Sequence, residues 1–68
     1  MLQTEMLKKL NDQLNEELFA SYAYLAMSAY FESRNLKGFA SWFMAQSNEE
    51  RMHAMKLYNY ILERGENV

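Results

Sequence analysis

No proline occurs anywhere in this chain, and its only glycines stand at positions 38 and 65. Those two residue types are what most often interrupt regular backbone, so a chain with so few of them has few places to turn. Thr4 is placed to cap the start of a first helix, with Glu5 in the opening turn, where the helix dipole favours negative charge. Helical periodicity then runs to about Ser33. Arg34-Asn35-Leu36-Lys37-Gly38 is the one turn on offer, because asparagine and glycine tolerate left-handed backbone and the apolar rhythm restarts at Phe39. A second helix continues to Arg64, a cation in its last turn, and Gly65 is placed as its C-terminal cap. The expected fold is all-α: one unit over residues 1–68, an antiparallel helical hairpin with helices at about 4–33 and 39–64 and a turn at about 34–38.

Such a chain needs help to stay folded. At 68 residues it is below the size at which one hydrophobic core comfortably suffices, and the usual supplements are disulfides, a metal or association with other chains. Cysteine is absent, which leaves the last two. A hydrophobic content of 50% with 15% aromatic residues is far above that of disordered segments, so the chain is built to bury surface. The run Leu18 to Phe31 carries no charge on any side, yet a membrane span needs about 20 apolar residues and this run is shorter and contains serines and tyrosines. Coverage on more than one side, by its own bundle and by a neighbouring subunit, is the expectation. The formal net charge is −2, and Lys8-Lys9 is the only adjacent pair among seven dispersed basic residues, which excludes a phosphate-tracking surface. Met1-Leu2-Gln3-Thr4-Glu5 lacks the basic start and apolar core of a secretory signal, so a cytoplasmic location is expected.

Three polar residues are out of place in this pattern. Stepping by fours and threes through the second helix gives Phe39, Phe43, Gln46, Glu50, His53, Leu57 and Tyr60; the first helix gives Met6, Leu10, Gln13, Glu17, Ala20, Tyr24, Met27 and Phe31. Each set shares one helix face, so Glu17, Glu50 and His53 interrupt apolar stripes where core side chains are expected. Burying a bare carboxylate is costly, and such a group is normally paired, protonated or bound to a cation. In an antiparallel hairpin, residues at equal distance from the turn lie side by side. Pairing Glu17 with Glu50 or with His53 implies a turn centred beside Arg34 and Asn35, where composition already puts it. The three groups therefore belong at one level of the hairpin. Tyr24 lies two turns beyond Glu17, about 10 Å along the helix by its rise, close enough to approach a site there but not to ligate in it.

Glu50-Arg51-Met52-His53 is a Glu-x-x-His on a helix, a spacing that lets a hard oxygen and a borderline nitrogen reach one ion. Carboxylate with imidazole suits iron, manganese or zinc, and the lack of cysteine argues against a thiolate site. Alone the motif is weak. Helix bundles with dinuclear carboxylate sites use a glutamate from each of two helices and a Glu-x-x-His from each of the other two; this chain supplies half of that set, and two copies about a twofold axis would supply all of it. A buried polar network that fixes helix register is the other reading of the same residues.

Asn11-Asp12-Gln13-Leu14-Asn15-Glu16-Glu17-Leu18, Tyr22-Ala23-Tyr24-Leu25-Ala26-Met27-Ser28-Ala29-Tyr30-Phe31, Leu36-Lys37-Gly38-Phe39-Ala40 and Gln46-Ser47-Asn48-Glu49-Glu50-Arg51-Met52-His53-Ala54 resemble the first two helices of a non-haem ferritin, over essentially the whole chain. The resemblance implies an iron-storage protein, assembled as a homo-oligomeric cage, that oxidises Fe(II) with dioxygen at a di-iron ferroxidase centre. By that match Glu17, Glu50 and His53 would be ligands of the first iron site, with Glu50 bridging to the second. Tyr24 would be the tyrosine close to the centre, and Glu49 the acidic neighbour that passes iron onward. The family's crossing loop and later helices have no counterpart here, which implies either a fragment of a subunit or a half-length chain that completes its bundle with a missing half or a second copy of itself. Haem is not expected, because Arg51 stands where haem-binding relatives carry their methionine.

Each of these residues also has a plainer role. Tyr24 can be a core aromatic with a hydrogen-bonded hydroxyl, Glu49 a solvated helix residue, and the six methionines fillers of irregular core space. Trp42, Phe39 and Phe43 read as core or interface residues, with no nucleic-acid partner required. Two other functions compete with ferroxidation: an architectural hairpin that dimerises without metal, and a related di-iron bundle that reduces peroxide or handles iron inside an encapsulating shell.

Overall fold

A computed structural model describes residues 2–68; Met1, one of the six methionines, lies outside them. Helix α1 spans Thr4–Ser33 and helix α2 spans Lys37–Glu63, and they lie against each other in a rod of 49 × 16 × 12 Å. The antiparallel hairpin of the sequence reading is the observed architecture, with no strand among the described residues.

The boundaries are explained by backbone chemistry. Thr4 does not cap α1; it is the first helical residue, Gln3 holds the cap position in extended backbone, and no side chain caps the helix. A capping residue must stay outside helical geometry, and Thr4 is already inside it. At the other end Asn35 adopts left-handed backbone with φ 60°. The Asn35 N–H donates to the Glu32 carbonyl at 3.0 Å and the Leu36 N–H to the Phe31 carbonyl at 2.9 Å, the paired bonds of a Schellman motif. Gly65 closes α2 in the same way, with φ 76° and bonds from Gly65 to Leu62 and from Glu66 to Ile61. Gly38, by contrast, is an ordinary helical residue. Helix α2 starts two residues before Phe39 because Lys37 and Gly38 already adopt helical backbone. They face solvent, so no apolar rhythm announces them, and Lys37 pairs with Glu32 across the turn. Arg64 lies at the cap position rather than in the last turn, its guanidinium 4.9 Å from the centre of the Tyr60 ring.

The helices meet along a seam different from the stripes singled out in the sequence. Among the described residues Leu14, Ser28, Ala40, Ser47, Ala54 and Ile61 are buried, and Ser21 lies in line with them. Within each helix these recur every seven residues, the repeat that keeps two helices side by side over many turns. Small side chains here let the backbones approach closely enough for direct bonds. Ser21 Oγ donates to the Ser47 carbonyl at 2.9 Å, Ser47 Oγ to the Ser21 carbonyl at 2.7 Å, and Ser28 Oγ to the Ala40 carbonyl at 2.7 Å. The stripe expected as core, with Phe39, Phe43, Glu50 and His53, therefore flanks the contact, and Phe39 stays 59% exposed. Its rings pack on one another instead: Phe31 stacks on Phe43 with centroids 5.4 Å apart, and Trp42 meets Phe43 edge-on at 5.0 Å. On the other side of the seam Phe19 and Tyr22 are 73% and 71% exposed, so the uncharged run is apolar on two sides, one of them partly covered by this chain and the other bare.

Candidate metal centre

Glu17 comes from the middle of α1 and Glu50 and His53 from the middle of α2, and the two helices bring one ligand atom of each within 4.8 Å of the others. His53 Nδ1 lies 3.6 Å from Glu17 Oε2 and 3.8 Å from Glu50 Oε2. That convergence follows from two facts already given. The Glu-x-x-His spacing places Glu50 and His53 one turn apart on one face, and the turn at Asn35 sets α1 so that Glu17 falls at their level.

The three groups are not equally covered. The Glu17 side chain keeps 18% of its exposure and Glu50 24%, but His53 keeps 45%, more than a residue set wholly inside a core would. The reason is geometric: a hairpin has only one partner helix, so the face carrying the imidazole has nothing opposite it. Gln13, one turn before Glu17, donates from Nε2 to Glu17 Oε1 at 2.8 Å and holds that carboxylate in place. Gln13 stands on the same stripe in the sequence, where nothing but its position marks it. The signal was the same as for the other three, a polar residue at an apolar position four residues from a carboxylate.

Glu17 Oε2 is buried and has no hydrogen-bond partner so long as both glutamates are ionised, since two carboxylates have no proton to share. A proton on Glu50 changes that. The Glu50 carboxyl beside Glu17, then the Gln13 amide, hold the Glu17 pKa below the ordinary carboxylate range against the opposing effect of burial. Glu50 is pushed up, first by sharing its proton with Glu17, then by burial and by the Glu17 charge, with Glu49 adding to the repulsion. As pH falls, Glu50 therefore takes up a proton before Glu17 does. An orphaned carboxylate oxygen facing an imidazole and a second carboxylate is a donor set that suits a divalent cation of the first transition row.

Tyr24 is half-buried and packs its ring on Phe43 at 6.1 Å, outside the ligand cluster. Glu49 is exposed and also outside the cluster, reaching it only through its charge on Glu50.

Comparison with known proteins places this chain in a family. The ferritin-like domain matches residues 7–68. A bacterial non-heme ferritin of Staphylococcus aureus (strain USA300) is 51% identical over 65 residues, which is 96% of this chain and 39% of that protein. The same-named protein of Staphylococcus haemolyticus (strain JCSC1435) is 48% identical over 68 residues, 100% of this chain and 41% of that one. Among solved structures, an open-pore ferritin from the hyperthermophilic archaeon Archaeoglobus fulgidus superposes with a TM-score of 0.93 at 44% identity, covering 100% of this chain and 42% of its own. A closed form of that ferritin, engineered by site-directed mutagenesis, gives 0.94. The chain spans about two fifths of the length of the relatives it matches. With its whole hairpin superposing on ferritin structures and residues 7–68 matching the domain, this chain belongs to the ferritin-like family.

Proposed function

We propose that this hairpin carries half of a ferroxidase centre, and that it serves iron storage by oxidising Fe(II) with dioxygen once a four-helix bundle is completed around it. The observation that supports this reading best is the buried, unpartnered Glu17 Oε2 facing Glu50 and His53. Fe(II) is the substrate. Glu17, oriented by Gln13, would bind the first ion together with Glu50 and His53, and Glu50 would also bridge to a second. Oxygen donors favour the ferric state because it is the harder, more highly charged ion, so the same carboxylates that bind Fe(II) assist loss of its electron to dioxygen. A cation and a proton compete for Glu50, so below neutral pH uptake of the cation displaces protons from it. Tyr24, ring against Phe43, would stand near the centre, and Glu49 would hand iron along the surface. The reading carries with it a cage of identical subunits and a cytoplasmic setting; no described helix is long and apolar enough to cross a membrane.

The competing reading, a polar network that fixes helix register, makes the opposite prediction for one substitution. Glu50→Ala is expected to abolish Fe(II) binding, followed by anaerobic titration, while helicity by circular dichroism is kept. Loss of helicity together with an unchanged absence of iron binding in the parent chain would support the network instead.

A further inference from the structure

We infer that Gln46 is a positioning residue for Glu50, the counterpart on α2 of Gln13 on α1, and that its amide takes hold of the Glu50 carboxylate when a cation binds. The inference rests on the metal-site reading above and adds to it a residue that steers one of the ligands.

The first support is a repeat. Gln13-Leu14-Asn15-Glu16-Glu17 and Gln46-Ser47-Asn48-Glu49-Glu50 share the pattern Gln-x-Asn-Glu-Glu, once in each helix. The structure gives both copies the same pose. Leu14 and Ser47 are buried in the seam, the asparagine and the first glutamate of each copy are exposed, and the last glutamate of each is a partly covered member of the cluster. In each copy the glutamine shares a helix face with the ligand one turn later.

In α1 a bond closes this pose, from Gln13 Nε2 to Glu17 Oε1 at 2.8 Å. The same spacing on α2 therefore gives the Gln46 amide the reach to Glu50. In the structure that bond is not made. The Glu50 carboxyl is engaged with Glu17, its Oε2 lies 3.8 Å from His53 Nδ1, and Gln46 is not among the groups acting on it. Yet Gln46 is the more covered of the two glutamines, partly buried where Gln13 is exposed. An amide drawn partly out of water is best satisfied by a partner.

With its carboxylate engaged by a cation, Glu50 no longer turns to Glu17 for a shared proton. Ligating carboxylates are commonly held in turn by hydrogen-bond donors; Glu17 has Gln13, and Gln46 is the donor one turn from Glu50. Because the helices run antiparallel, Gln13 stands on the side of the cluster away from the turn and Gln46 on the side toward it. The two amides would thus fix the two carboxylates from opposite ends of the site. The Tyr24 hydroxyl is the rival partner, since the register that sets Glu17 at the level of His53 sets Tyr24 at the level of Gln46.

Zn(II), which is diamagnetic, is the probe: calorimetry reads its affinity, and proton–nitrogen NMR follows the side-chain amides. In the parent chain the Gln13 amide is expected to be protected from exchange with or without Zn(II), and the Gln46 amide only with it. Gln46→Met, close in size and without a donor, should weaken Zn(II) about tenfold while helicity and the metal-free melt stay unchanged. Tyr24→Phe should alter neither the affinity nor the Gln46 amide. A Gln46 amide indifferent to Zn(II), or parent affinity in Gln46→Met, would overturn the inference and leave the metal-site reading standing. Loss of Gln46 protection in Tyr24→Phe would overturn it in favour of the rival partner. So would a weaker Gln46→Met whose metal-free melt falls as well, in favour of a packing role; the parent's own amide signals then still decide whether the bond forms. Absence of Zn(II) binding by the parent would remove both readings.

Discussion

Gln13 and Glu50 show how single side chains set the chemistry of this site. The Gln13 amide donates to the Glu17 carboxylate at 2.8 Å. Gln13→Ala removes a group that orients a ligand without touching the ion, and such changes typically weaken metal binding about tenfold. Co(II) titration by calorimetry would read that loss, with the helix signal unchanged. Glu50 controls the pH response. The Glu17 pKa is lowered in the fold, so its share of stability is present above the ordinary value of 4.5 and is lost as pH falls through the lowered one. The Glu50 pKa is raised, so its share is full below 4.5 and is lost as pH rises through the raised value. The metal-free pair therefore helps the fold most in a mildly acidic window around 4.5 and less toward neutrality. Glu50→Gln, which keeps a donor and cannot ionise, should flatten the decline between that window and neutral pH in thermal melts. Metal binding should run the other way in the parent chain, tightening as pH rises, because protons compete with the ion for Glu50.

The two glycines behave oppositely at the scale of the helix. Gly38 has helical backbone within α2, and a Cβ there would meet nothing within 4 Å. Gly38→Ala should stabilise by about 0.5–1 kcal/mol through helix propensity and loss of unfolded-state freedom. Gly65 has equally open surroundings but a φ of +76°, which an L side chain rarely adopts. Gly65→Ala should cost about 1 kcal/mol for backbone reasons alone. Shifts of several degrees in the melting temperature, opposite in sign, are expected for a domain of this size. Asn35 explains why the hairpin turn needs no glycine: it takes the left-handed position itself, leaving Gly38 to the helix. Composition alone does not tell which of two neighbouring permissive residues will turn, because both can.

For the whole molecule, the hairpin has one internal seam and two apolar sides, so its stability depends on what binds it. A cation that binds only the folded chain adds RT ln(1 + [L]/Kd), about 2.7 kcal/mol at a hundredfold excess over Kd. Melts in Co(II) followed by excess chelator should show that gain and its complete reversal. His53→Ala should show no gain at any Co(II) concentration, while its metal-free melt stays close to the parent, since the imidazole is 45% exposed and its removal leaves no buried hole.

From the sequence alone came the two helices, the turn near Asn35, the cap at Gly65 and the level at which Glu17, Glu50 and His53 meet. These are consequences of local backbone preference and of counting along a hairpin, and both are properties of the chain in one dimension. Only the tertiary structure decided that the contact runs through Leu14, Ser21, Ser28, Ala40, Ser47, Ala54 and Ile61 rather than through the aromatic stripe beside it. Hydrophobic stepping favours the largest side chains, whereas two helices approach most closely where side chains are smallest and serine hydroxyls can reach the opposite backbone. That choice turns the stripe outward, covers most of Glu17 and Glu50, leaves His53 nearly half in solvent, and so presents the candidate centre on an open face.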